Sequence, residues 1–138
     1  RVNNQTTYTI YWRVSNTSND VRDFEIISTL PAWVNFTGLK KANFAEEGFF
    51  YDSAARRMIW NINKLPSGTG VVLPVYEAIF QIAVSPTTSQ IGQIIDITGS
   101  SQVKGIDDFT NQIINFLVPP IKTDLNGTIR EGRAKVTQ

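Results

Sequence analysis

Along residues 6–15 hydrophobic and polar side chains take turns. Tyr8, Ile10, Trp12 and Val14 fall on one parity; Thr7, Thr9, Tyr11 and Arg13 fall on the other. A period of two sends each set to its own face of an extended chain, so the pattern predicts a strand with one buried face. The run ends in "SNTSND", where Asn16, Asn19 and Asp20 can bond nearby backbone and tolerate left-handed conformations. That is the chemistry of a tight corner. Alternation resumes over residues 21–30, with Phe24, Ile26 and Leu30 facing one way and Asp23, Glu25 and Thr29 the other. Pro31 has no N–H for a ladder, so "LPAW" ends or kinks this strand. "VNFT" reads as a short continuation, residues 38–47 as a loop, and "GFFY" as a short strand or edge piece.

Farther on, "YDSAARRMIWNI" predicts a turn over 52–56 and a strand over 58–62. "LPSGTG" is a turn in which Gly68 and Gly70 supply backbone freedom. In "PVYEAIFQIAVSP" the side chains of Tyr76, Ala78, Phe80, Ile82 and Val84 share a face. "IIDITGSSQV" predicts the next strand, "KGIDDFTNQ" a turn, and "IINFLV" a last core strand before Pro119 and Pro120. No segment carries a sustained helical period, and "NFAEEGFF" holds at most one helical turn.

Short strands separated by turn signals predict an all-β sandwich of about seven to eight strands. Its expected core is Trp12 and Trp60 between the sheets, with Ile10, Val14, Phe24, Ile26, Phe80 and Ile82 around them. The sandwich is expected over residues 1–120. Residues 121–138 form an exit segment, polar and charged, with an Asn126-Gly127 turn signal and Gly132. It reads as a linker, a small hairpin, or a strand shared with a neighbour.

Composition narrows the chemistry. With 138 residues the chain is long enough to close one core without staples. A net charge of +1 leaves no electrostatic footprint for nucleic acid or an acidic membrane surface. The absence of cysteine excludes disulfide frameworks, zinc knuckles and thiol nucleophiles. The absence of histidine removes the usual general base, the Ser-His-Asp triad and the commonest transition-metal ligand. No transmembrane span is visible, because Pro74, Glu77, Pro119 and Pro120 interrupt the apolar runs. Starting at Arg1, the sequence is expected to be a piece of a longer chain.

Taken in order, these segments carry a resemblance. "TTYTIYWRVSNTSNDVRDFEIISTLPAWVNFTG" resembles the opening of the immunoglobulin-like repeat domains of large bacterial cell-surface proteins, of the adhesion-associated type. "FYDSAARRMIWNINKLPSGTG" is similar to the same family's following signature. "FQIAVSPTTSQIGQ", "GIDDFTNQ" and "PPIKTDL" are similar to the closing strands and exit segment of one subgroup. The resemblance runs nearly the whole chain through Leu125. It implies an immunoglobulin-like antiparallel β-sandwich serving as a cell-surface spacer or adhesion-associated module, and it offers no catalytic residues to carry over.

Several constellations invite sharper chemistry. Asp107 and Asp108 with Asn111, or Asp20 with Asp23, supply the oxygen ligands calcium needs, but the spacing is not that of an EF-hand and a solvated turn is the expectation. Tyr11, Trp33, Phe49, Phe50 and Tyr51 would make a sugar platform if exposed together; core packing or edge covering is the expectation. Asn4, Asn16, Asn35 and Asn126 each begin an N-x-S/T sequon, a pattern common by chance in a chain rich in Asn and Thr. A Lys–Asn isopeptide crosslink would need an acid beside both partners in the core, for which Glu77 and Lys104 are the only hints, and both are expected on the solvent face. Glu46 and Glu47 are adjacent on a loop, with no sign of a cleft.

The expectation is therefore a non-enzymatic structural module, extracellular or at the cell surface, with no cofactor or metal. Its partners would be neighbouring domains or copies of the same protein, and possible host or environmental surface ligands, without nucleic acid or direct membrane insertion. The alternatives are a ligand- or carbohydrate-binding adhesion module, and a filament subunit assembled by strand donation from residues 1–5 or from "GRAKVTQ".

Overall fold

The computed structural model describes residues 5–90, 92–123 and 133–137, the last by their backbone. Nine strands appear there: β1 (Thr6–Ser15), β2 (Val21–Thr29), β3 (Val34–Ala42), β4 (Phe49–Asp52), β5 (Arg57–Leu65), β6 (Tyr76–Val84), β7 (Ser101–Asp107), β8 (Ile113–Val118) and β9 (Arg133–Thr137). The first eight make two antiparallel sheets, ordered β3-β6-β1 and β4-β5-β2-β7-β8, in an immunoglobulin-like sandwich. β9 adds to the free side of β1 in parallel, with Tyr11 opposite Arg133 and Ser15 opposite Thr137. Helical structure among the described residues is confined to two 3-10 turns, Glu46–Gly48 and Thr88–Gln90.

The pairing explains the core. Across β1 and β6 the large Trp12 lies opposite the small Ala78, so bulk on one strand meets space on the next, while Ile10 lies opposite Phe80. Across β2 and β5, Ile26 faces Trp60 and Phe24 faces Ile62. Phe49 of β4 closes the cluster, within 6.2 Å of the Trp12, Trp60 and Phe80 ring centroids. Trp12 meets Phe80 edge-on at 5.1 Å, a geometry that aligns ring edge with ring face. Trp12, Trp60, Ile10, Val14, Phe24, Ile26, Phe80 and Ile82 are all buried. The indole N–H of Trp60 has no acceptor there.

Three segments depart from the sequence reading. "VNFT" does not continue β2; after Pro31 the chain crosses to the other sheet, where Val34 pairs opposite Val84. Residues 38–42 are not loop but the rest of β3. Gly38, at φ 101°, absorbs a register shift between Phe36 and Lys40, and pairing resumes with Lys40 opposite Phe80. An edge strand buries little, so its sequence shows no alternation. Finally, β7 begins at Ser101 rather than near residue 94, and runs through Lys104 to Asp107. Residues 95–98 instead hold the stretch after the double proline: the Ile97 N–H donates to the Ile121 carbonyl at 2.7 Å, and the Thr123 N–H to the Ile95 carbonyl at 2.8 Å.

Candidate functional site

The chemistry-bearing side chains gather at one end of the sandwich, where the β1–β2 corner meets the β5–β6 and β7–β8 turns. Asn16 anchors it. Its buried side-chain amide donates to the carbonyls of Asn19 at 2.7 Å and Leu65 at 3.2 Å, while its Oδ1 accepts the Ser18 N–H at 2.9 Å. Its backbone pairs with Thr69 and Gly68. The turn can approach so closely because Gly70 sits at φ 79°, where a Cβ would come within 2.7 Å of Ser15. A burial this complete also leaves the Asn16 sequon no room for a glycan. Asn35 is exposed, whereas Asn4 and Asn126 lie outside the described residues.

The acids around this corner are already engaged. Asp20 accepts the Ser67 N–H at 2.7 Å and faces Lys64 at 3.3 Å; that N–H first, then the ammonium, holds its carboxyl below the usual carboxylate range. Asp107 accepts the N–H groups of Phe109 and Thr110, each at 2.9 Å, and the Asn19 amide; the Thr110 N–H is the main cause of its lowered pKa. Arg22 donates to Asp108 and to Asn111, each at 3.0 Å. Asp23 sits apart, in a bulge of β2 at φ 53°. The side-chain oxygens of Asp20, Asp107, Asp108 and Asn111 thus cap turns or meet cations, and no group of three or more His, Cys, Asp or Glu among the described residues could hold a metal ion.

A shallow groove of about 630 Å³ crosses the outer face of the five-stranded sheet, lined by Glu25, Glu47, Asn61, Lys104, Ile106 and Ile113 among others. Glu25 is tied to Lys104 at 3.5 Å, and Glu47 stands on the 3-10 turn before β4. On the opposite sheet Glu77 is tied to Arg13 at 2.5 Å. Neither Glu77 nor Lys104 lies in the core, so the structure does not bring them together with an Asn for a crosslink. The five aromatics do not form one platform. Phe49 is in the core, Tyr51 packs on Phe36, Trp33 donates its indole N–H to the Asp96 carbonyl at 2.7 Å, and Phe50 is exposed.

Arg56 has a structural role that its place in the sequence did not suggest. From a left-handed position at φ 57° its Nη2 donates to the carbonyls of Pro31 and Val34, and its own carbonyl accepts the Leu30 N–H at 2.8 Å. It ties the turn where the chain changes sheets. The signal was present as the arginine in "YDSAAR", four residues after the aspartate that starts the turn.

Neither a family model nor a curated protein matches the sequence. Among solved structures the chain is similar in fold to the RrgA Jo.In complex, at 9% identity and a TM-score of 0.52 over 86% of this chain and 72% of that one. It is likewise similar to BcpA, the major pilin subunit of Bacillus cereus, at 8% identity and a TM-score of 0.50 over 86% of this chain. The chain spans 39% of the length of BcpA.

Proposed function

We propose that this domain is a non-enzymatic structural module of a bacterial extracellular or cell-surface protein, acting as a spacer or assembly unit. The observation that carries the proposal is the use made of its polar side chains. Asn16, Asp20, Asp107, Arg22 and Arg56 are all spent on joining turns to strands, which favours a closed building block over a binding cleft. The likeness in fold to a pilin subunit supports the same reading. Antibodies against the folded domain test it: intact producing cells should be labelled, and brief external protease should remove the label. Signal seen only after permeabilisation would overturn the surface assignment.

A second reading, strand donation, draws on β9. The side of β1 that β9 occupies accepts a parallel strand from within the chain, and the same segment of a neighbouring copy would fit the same register. Removing residues 128–138 tests this by electron microscopy and light scattering. Head-to-tail chains that vanish on truncation support donation; monomers in both cases leave the spacer reading alone.

A further inference from the structure

The sandwich has four sheet edges, and three of them are guarded. β4 is only four residues long, β9, which covers β1 and forms that sheet's outer edge, contains Arg133 and Lys135, and β3 carries a register shift followed by Lys40 and Lys41. Short length, cover, irregularity and lysine are the devices that keep an edge from pairing with another chain. β8 has none of them. Its six residues, "IINFLV", are uncharged; one side bonds β7, and no strand among the described residues lies on the other. Ile113 and Leu117 point outward, 80% and 66% exposed, while Ile114, Phe116 and Val118 turn toward the core and are half covered.

We propose that β8 is the edge through which two copies of this chain pair, antiparallel, about a two-fold axis at Asn115. The strand is its own complement in that register. Ile113 falls opposite the second copy's Leu117 on the outer face, Ile114 falls opposite Phe116 on the inner face, and the two Asn115 side chains meet at the centre, where amide can bond amide. A register one residue away would set outward side chains against inward ones, so the pleat selects this family of pairings. No like charges are brought together along the strand. A single strand pair buries less than the roughly 1,200 Å² of a stable interface, so the free domain pairs weakly and tethered copies pair more fully. The contact stands independently of where the protein resides.

The chain contains no cysteine, which makes one introduced thiol a clean reporter. Directly opposed residues on antiparallel strands lie about 4.5–5.5 Å apart between Cα atoms, within disulfide reach. Under mild oxidation Asn115→Cys should crosslink about tenfold faster than Ser53→Cys on an exposed turn, the excess expected of a templated pair. An equimolar mixture of Ile113→Cys and Leu117→Cys should give mainly the mixed dimer. Adding Leu117→Lys should abolish the excess, and sedimentation at rising concentration should show self-association that the same substitution removes. Equal rates for positions 115 and 53, or crosslinking at 115 that is indifferent to Leu117→Lys, would overturn the proposal.

Discussion

Arg56 holds two carbonyls of the β2–β3 turn with a guanidinium whose Nε stays buried and unpartnered. Replacing it by Met keeps much of the stem but strands the carbonyls of Pro31 and Val34. Arg56→Met should therefore cost about 1.5–3 kcal/mol, the range for hydrogen bonds to a charged group, read as a lowered urea midpoint at unchanged slope. Asp20 and Asp107 set a pH dependence of definite sign. Both carboxyls titrate below their ordinary value of 3.8 in the folded chain, so both stabilise above that pH and lose the contribution as pH falls through the folded value. Thermal stability should be level from neutrality to about pH 5 and decline below about pH 4, and Asp20→Asn with Asp107→Asn should flatten that decline. An acid limb unchanged in the double variant would remove these two residues from the account.

Strands were legible in proportion to how one-sided their burial is. β1, β2 and β6 bury one face against the opposite sheet, so polar and apolar residues must alternate and the pattern shows in the letters. β3 buries almost nothing beyond its first residue, which frees its sequence from alternation and made half of it read as loop. Residues 94–100 failed in the opposite sense: Ile95 and Ile97 are apolar and alternate, yet they plug the end of the core without joining a sheet. The corner at Asn16 could be read because turn chemistry is local; the engagement of Asp107 by Asn19 could not, since it joins residues 88 positions apart. β2 yields its own prediction. Asp23 occupies a left-handed position inside a strand, which Asp tolerates and a β-branched residue does not. Asp23→Val should cost about 1–2 kcal/mol while Asp23→Gly stays near neutral, measured by chemical denaturation. Equal effects from the two would mean that side-chain contacts, not backbone strain, decide the site.

For the whole molecule, the parallel placement of β9 beside β1 fixes how tension would pass through it. A tether on the N-terminal side tugs at the start of β1, and one on the C-terminal side tugs at the end of β9. Because the two strands run the same way, these tugs oppose one another along their shared axis. The five residue pairs from Tyr11 with Arg133 to Ser15 with Thr137 are then sheared together rather than peeled apart in turn. Atomic-force spectroscopy should find a higher unfolding force with handles at both chain ends than with the second handle moved to a cysteine at position 123, where the load bypasses β9. Equal forces for the two attachments would mean that β9 bears no load. A sandwich whose two ends grip one another in this way resists being drawn out along its length while staying easy to open from the side.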